Sequence, residues 1–212
     1  MPLTAPVQAD GLTVTAETFV PGGSQLPAEG GAALLARLVS SVLGVADVPA
    51  LAPSPPWTGW DHPGTRLWPE RDDQGRDLNS THGDWESQNI RWSDGEPLAV
   101  HDWDSVIAQP EPAIVGLAAA VWPAAGAPGE AATVAQSAEF IACYQEAAGR
   151  QWAGHEVQDA WATGLWVRLF NAKKDAADGG GPQLDRLAGE IGERAGPGGP
   201  RQRVTNVQGT SR

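Results

Sequence analysis

The sequence predicts an α+β domain that is mostly α-helical and carries a small β-hairpin. Two observations lead to this prediction. Apolar residues recur at helical spacing over most of the second half of the chain, and the dipeptide Asp94-Gly95 lies between two short β-patterned segments, where it signals a tight turn. With 212 residues, 41% of them hydrophobic, the chain can form one medium-sized domain with a buried core.

The N-terminal part is predicted to contain a strand and a helix. Residues 11–20 alternate β-branched and polar side chains, as strands do, and residues 28–44 have leucine and valine at helical spacing before Gly44. Residues 45–81 are rich in Pro, Gly and Asp and predict a long loop. A loop of this length inside a compact domain is uncommon unless it has a function.

The hairpin is predicted from residues 90–92 and 98–102, on either side of the Asp94-Gly95 turn. Helices are predicted from the apolar spacing that follows; they cover residues 111–122, 130–150, 156–177 and 183–194. The polar, glycine-rich residues 195–212 predict a disordered tail.

Charge and cysteine content exclude several classes of function. The net charge is −12 and the pI is about 4.6, so phosphate backbones and anionic membranes repel the chain, and neither nucleic acid nor a membrane is an expected partner. Cys143 is the sole cysteine of the sequence, so it cannot form an internal disulfide, and we expect it to be a small core residue of a helix. No signal peptide or long apolar run is present, which predicts a cytoplasmic protein.

Two short acidic clusters, each led by a histidine, are the candidate site. HGDWESQN spans residues 82–89 and HDWD spans residues 101–104, with the predicted hairpin between them. The hairpin would bring Asp84, Asn89 and Asp102 into one pocket. Their oxygen atoms are hard ligands that suit Mg²⁺, and one carboxylate could instead accept a proton from an attacking hydroxyl group.

The paired motifs resemble the catalytic and metal-binding loops of the aminoglycoside phosphotransferase and choline kinase family, which has H-G-D-x-x-x-x-N followed by D-x-D or D-F-x. The residues that match the first motif are His82, Gly83, Asp84 and Asn89, and those that match the second are Asp102, Trp103 and Asp104.

The resemblance implies an ATP- and Mg²⁺-dependent phosphotransferase that phosphorylates a hydroxyl group of a small molecule. Asp84 would orient and deprotonate the acceptor hydroxyl. Asn89 and Asp102 would hold Mg²⁺ on the nucleotide phosphates. His82 would brace the loop through backbone hydrogen bonds, and Asp104 would support or cap the second motif.

The resemblance also implies a protein-kinase-like C-lobe with the N-lobe largely absent. Residues 1–83 contain no lysine and no G-x-G-x-x-G loop, both of which position ATP in the family. Residues 1–27 would then be an N-terminal strand and hinge remnant, residues 28–178 the helical C-lobe, and residues 179–212 a short helix and tail. Because positioning and electrostatics supply most of the catalysis, we expect weak or no transfer by this chain alone.

Three tryptophans in the long loop suggest the nature of the acceptor. Trp57, Trp60 and Trp68 lie among acidic residues, and aromatic faces with carboxylates suit a cationic small molecule. The oligomeric state is left open by the sequence.

Two other classes of function remain as alternatives. The first is a catalytically inactive remnant or pseudokinase-like binding module, which the lack of an N-lobe lysine favours. The second is an HD-type metal phosphohydrolase with His62, His82, His101, Asp102 and a later aspartate as ligands, although that fold needs its histidines on helices and residues 98–102 have a strand pattern.

Overall fold

Five helices and six short strands make up the part of the chain that the computed structural model describes, which is residues 7–9, 12–14, 19–26, 30–43, 79–127 and 130–195. The strands are β1 (Val7–Ala9), β2 (Leu12–Val14), β3 (Asn79–His82), β4 (Ile90–Ser93), β5 (Glu96–Val100) and β6 (Val106–Gln109). The helices are α1 (Gly31–Val42), α2 (Glu111–Val121), α3 (Val134–Ala147), α4 (Gly154–Ala177) and α5 (Pro182–Arg194). The described part is therefore α+β, as the sequence predicts.

The strands form three antiparallel pairs, β1 with β2, β3 with β6 and β4 with β5. The β4–β5 hairpin turns at Asp94 and Gly95, which both have positive φ angles, 53° and 80°, as a type I′ turn requires. The β3–β6 pair joins segments on either side of this hairpin. A single bridge between Ser24 and Trp92 ties the segment before α1 to the hairpin.

The helices pack around two groups of buried side chains. In the larger group, α1 and α3 contribute residues such as Leu35 and Phe140, which pack with Trp85 from the segment after β3. In the smaller group, Ile107 of β6 packs with residues of α2 and α4. Helices α2 and α4 approach closely because Gly116 faces the backbone of α4, where a Cβ atom would overlap the carbonyl of residue 160.

Most predicted elements are confirmed, with shifts of a few residues at their ends. The hairpin and the helices from α1 to α5 form where the apolar spacing predicts them. Helix α4 is buried over much of its surface, and its buried residues include Trp166, Val167 and Phe170. Cys143 is only half-buried, on α3, and packs against the larger core.

Three details of the strand predictions are corrected. Strand β2 is short and pairs with β1, which the sequence did not predict, while residues 15–18 of the predicted strand lie outside the described residues. Strands β3 and β6 were missed, because four-residue strands carry too little pattern to be recognised. His101 and Asp102 follow β5 instead of lying within it.

Two predicted segments lie outside the described residues. They are the aromatic and acidic loop with Trp57, Trp60 and Trp68, and the tail at residues 196–212. In the described part of the chain, none of the helices combines the length and the apolar character needed to cross a membrane.

Candidate functional site

The two candidate motifs lie on neighbouring loops. The first loop, residues 83–89, follows β3, and the second loop, residues 101–105, precedes β6. Strands β3 and β6 pair with His82 opposite Val106, so the two loops leave the ladder at the same end. The hairpin between the loops begins and ends at that end too, since the first residue of β4 pairs with the last residue of β5. Strand pairing therefore brings together two segments that are separated in the sequence.

Backbone hydrogen bonds join the two loops directly. The Gly83 N–H donates to the Ser105 carbonyl at 2.7 Å, and the His101 N–H donates to the Asn89 carbonyl at 2.8 Å. A Cβ atom on Gly83 would overlap the Ser105 carbonyl oxygen and would lie 3.0 Å from a methyl group of Ile107. The glycine of the first motif is thus required by the close approach of the second loop.

His82 bonds to the backbone of both loops from a fully buried position. Its Nδ1 accepts from the Asp84 N–H at 2.9 Å, and its Nε2 lies 2.8 Å from the His101 carbonyl oxygen. Since a carbonyl can only accept, Nε2 carries the hydrogen and donates it. The ring also packs against Trp85 and Trp103, with centroid distances of 5.4 and 5.1 Å. These contacts are those of a residue that braces the loops.

Asp84 and Asn89 are connected through the backbone of the first loop. The Asn89 Nδ2 donates to the Asp84 carbonyl at 3.1 Å, and Asn89 is buried while Asp84 is half-buried. Between them, Trp85 is almost completely buried and anchors the loop in the core. The bond through Nδ2 fixes the orientation of the Asn89 carboxamide, so its Oδ1 is the atom that could bind a cation.

Asp102 lies in the second loop with an exposed side chain and a left-handed backbone, φ 64° and ψ 47°. Such a conformation is uncommon for residues other than glycine, but aspartate tolerates it better than most. The next residue, Trp103, donates its indole N–H to the Val100 carbonyl at 2.8 Å, which ties the loop back to β5. The backbone of Asp104 lies in the same short 3₁₀ turn, and its side chain is outside the described part of the structure.

The chemistry of the donor set fits a magnesium ion that is completed by phosphate oxygens. Within the described residues, no three His, Cys, Asp or Glu side chains come together as a metal-binding group. Asp102 and Asn89 could supply one carboxylate and one carboxamide, and Mg²⁺ is commonly held by one or two protein oxygens together with water and substrate phosphates. His82 has both ring nitrogens bonded to the backbone and offers no lone pair, which argues against the HD-type alternative.

A cleft of about 400 Å³ opens beside the first loop. It is lined by Glu86 and Gln88 of that loop, by the connection between α2 and α3, and by the end of α4 and the start of α5. Its volume is within the range of small-molecule sites. Three carboxylates line it, and Lys174, whose ammonium group lies 4.3 Å from the centre of the Phe170 ring, is the positively charged residue among the lining side chains.

Glu86 is the carboxylate that the first loop contributes to this cleft. Burial and, second, the nearby charge of Asp84 raise its pKa from an ordinary value of 4.5 to about 7. Its Oε2 accepts a hydrogen bond from the Gln88 side chain at 2.5 Å, which opposes the increase in pKa. The carboxyl group of Glu86 therefore changes its charge near neutral pH.

Sequence reasoning identified the two loops but missed the cleft. Glu86 and Gln88 lie inside the first motif, so their position could have been noticed. Asn171, Lys174 and Gln183 reach the cleft only through helix packing, for which the sequence has no local signal. Comparison of the chain with protein-family models, curated proteins and solved structures finds no match.

Proposed function

We propose that the chain is a protein-kinase-like C-lobe, similar to the aminoglycoside phosphotransferase and choline kinase family, and that it transfers phosphate from ATP to a hydroxyl group of a small molecule with the help of Mg²⁺. One observation supports this most strongly. The loops that carry Asp84, Asn89 and Asp102 are hydrogen-bonded to each other, with the Asn89 side chain attached to the Asp84 carbonyl. A cytoplasmic location would suit a reaction that consumes ATP.

Asp84 is the candidate general base. Its backbone is held on both sides, by the His82 ring at its N–H and by the Asn89 amide at its carbonyl, so its position is set before a substrate binds. A half-buried carboxylate at this position can orient an acceptor hydroxyl and accept its proton as the phosphoryl group is transferred.

Asn89 and Asp102 are the candidate metal ligands. Bound there, Mg²⁺ would neutralise charge on the nucleotide phosphates. Asn89 is preorganised by its bond to Asp84, whereas Asp102 presents its carboxylate from an exposed loop that is fixed by Trp103. Asp104 and His82 would support these loops without contacting the reacting atoms.

The cleft beside the first loop is the candidate acceptor site. It has more carboxylates than ammonium groups, and the whole chain has a net charge of −12, so the electrostatic potential favours a positively charged acceptor over a negatively charged one. The described residues thus support a cationic acceptor independently of the long aromatic loop.

A second candidate function is a catalytically inactive module that binds a nucleotide or another ligand. The observation in its favour is the lysine content, because Lys173 and Lys174 are the lysines of the sequence and both lie on α4, after the two motifs. Without a lysine on the phosphates, the γ-phosphoryl group would be held mainly through the metal. We therefore expect slow turnover even if nucleotide binds.

Calorimetry with ATP in the presence and absence of Mg²⁺ tests the proposal. Wild-type protein should show heat of binding that depends on Mg²⁺, and Asp102→Asn should remove most of it. Asp94→Asn is the matched control, since Asp94 is also exposed with a positive φ but lies at the far end of the hairpin. Asparagine tolerates this backbone conformation at both positions.

The outcomes separate the candidates. Magnesium-dependent binding that is lost in Asp102→Asn and kept in Asp94→Asn supports a nucleotide site. Turnover of ATP that also disappears in Asp84→Asn supports the phosphotransferase, and binding without turnover supports the inactive module. The absence of magnesium-dependent heat at millimolar ATP would refute the proposed site.

A further inference from the structure

The connection between α2 and α3 is hydrogen-bonded to the first loop at one carbonyl group. The Ala124 carbonyl accepts from the Gln88 N–H at 3.1 Å and from the Ser87 hydroxyl at 2.9 Å. Ser87 and Ala124 are both buried, at 4% and 6% exposure, so these bonds lie in the protein interior. Ser87, Gln88 and Asn89 form one short 3₁₀ turn, so the carbonyl group of Ala124 holds the turn that carries Asn89.

The position of this carbonyl is set by a carboxylate further along the connection. Glu130 Oε2 accepts from the Ala125 N–H at 2.6 Å and from the Ala127 N–H at 3.1 Å. Hydrogen bonds to an ionised acceptor are roughly twice as strong as those between neutral groups. Because the Ala125 N–H belongs to the same peptide group as the Ala124 carbonyl, the carboxylate and the first loop bind opposite sides of one peptide plane.

Glu130 is itself held in place from the other side. Its backbone carbonyl accepts from Gln183 Nε2 at 3.3 Å, and Gln183 Oε1 accepts from the buried Arg168 at 2.5 Å. The support for the connection thus extends to helices α4 and α5. A rigid support of this kind can preserve the orientation of a side chain that it does not touch.

We propose that Glu130 is a positioning residue for the metal-binding turn. Its carboxylate fixes the peptide between Ala124 and Ala125, and through that peptide Ser87 and Gln88 hold Asn89 in the orientation that binds the metal ion. This inference depends on the proposed function of Asn89. The positioning role of Glu130 differs from a purely electrostatic role in the cleft, because an electrostatic effect on the metal ion would not depend on the Ser87 hydroxyl.

A double-mutant cycle with the Mn²⁺ complex of ATP as the probe tests the proposal on the full chain, because phosphate oxygens complete the coordination of the ion. The affinity of wild type, Glu130→Gln, Ser87→Ala and the double variant for this complex is measured by calorimetry. Asp102→Asn defines the binding that belongs to this site. Glu156→Gln is the control for the loss of a carboxylate that accepts a backbone N–H, here at the start of α4 and away from the first loop.

Each single variant should weaken binding of this complex at the site by roughly tenfold, the effect expected when a support of a metal ligand is removed. The double variant should be no weaker than either single one, since both changes interrupt the same path. Glu156→Gln should leave the affinity unchanged. Circular dichroism and urea unfolding of each variant show whether it is folded.

Several results would overturn the inference. A roughly hundredfold loss in the double variant, the product of two independent effects, would show that Glu130 acts independently of Ser87 and therefore not through this path. Unchanged affinity in folded Glu130→Gln would exclude positioning while leaving the proposed function intact. If Glu130→Gln does not fold, Ser87→Ala is the remaining test: it removes one of the two hydrogen bonds to the Ala124 carbonyl, and unchanged affinity would contradict the role given to Ser87. If the wild-type protein does not bind the Mn²⁺ complex of ATP in a way that Asp102→Asn weakens, the proposed function and this inference are refuted together.

Discussion

Gly83→Ala should disrupt the contact between the two loops and destabilise the protein. The new methyl group would overlap the Ser105 carbonyl oxygen and press on Ile107, and neither the ladder nor the core side chain can move away freely. Overpacking of this kind costs about 1–3 kcal/mol, and the loss of the 2.7 Å hydrogen bond from Gly83 adds about 1 kcal/mol. We expect the free energy of unfolding to fall by about 2–4 kcal/mol.

Urea unfolding followed by tryptophan fluorescence measures this change, since ten tryptophans provide the signal and Trp85 is buried beside the loop. Gly189→Ala is the matched control, because Gly189 lies within α5 and a Cβ atom there would meet nothing within 4 Å. That variant should gain about 0.5–1 kcal/mol from improved helix propensity. Equal effects of the two substitutions, or a loss below about 0.5 kcal/mol in Gly83→Ala, would refute the close approach of the loops.

Three further predictions concern buried polar groups. His82→Ala should lower the free energy of unfolding by about 2–4 kcal/mol, because it removes two hydrogen bonds and leaves a cavity; a loss under about 1 kcal/mol in urea unfolding would contradict the bracing role. Arg168→Met should change the free energy of unfolding by less than about 1 kcal/mol, because two effects oppose each other. Burial lowers the pKa of Arg168 to about 10, and among the described residues its Nε and Nη2 find no hydrogen-bond partner, whereas its Nη1 donates to Gln183. A loss above about 2 kcal/mol in urea unfolding would refute this. The third prediction concerns Glu86, because a carboxyl group whose pKa is raised in the folded state binds its proton more tightly there than in the unfolded state. The wild type should therefore lose stability relative to Glu86→Gln as the pH rises from about 4.5 through 7. Parallel pH profiles of the free energy of unfolding for the two proteins would exclude the raised pKa of Glu86.

Local patterns in the sequence were sufficient to predict the helices and the hairpin. Helical spacing of apolar residues and the Asp94-Gly95 turn act over a few residues, and these elements form where they were predicted. Strands β3 and β6 were not predictable in the same way. Each has four residues, and each is stabilised by pairing with a segment on the far side of the hairpin.

The candidate site likewise has some features that local sequence predicts and others that depend on tertiary contacts. The motif spacing brought Asp84, Asn89 and Asp102 to attention, and the glycine at position 83 matched the pattern without an evident cause. Its cause is a backbone contact with Ser105, which depends on the pairing of β3 with β6. The acceptor cleft and the support through Glu130 likewise depend on packing between segments distant in sequence.

The sequence by itself determined the residue types of the candidate site, the hairpin that joins its two loops and the helices around it. Those features follow from hydrophobic periodicity, turn chemistry and the spacing of oxygen donors within short segments. The tertiary structure alone decided which backbone groups hold the loops, which side chains form the cleft and how the Glu130 carboxylate reaches the turn that carries Asn89. These depend on hydrogen bonds and close contacts between distant segments, such as Ser87 with Ala124, and no local pattern in the chain encodes them.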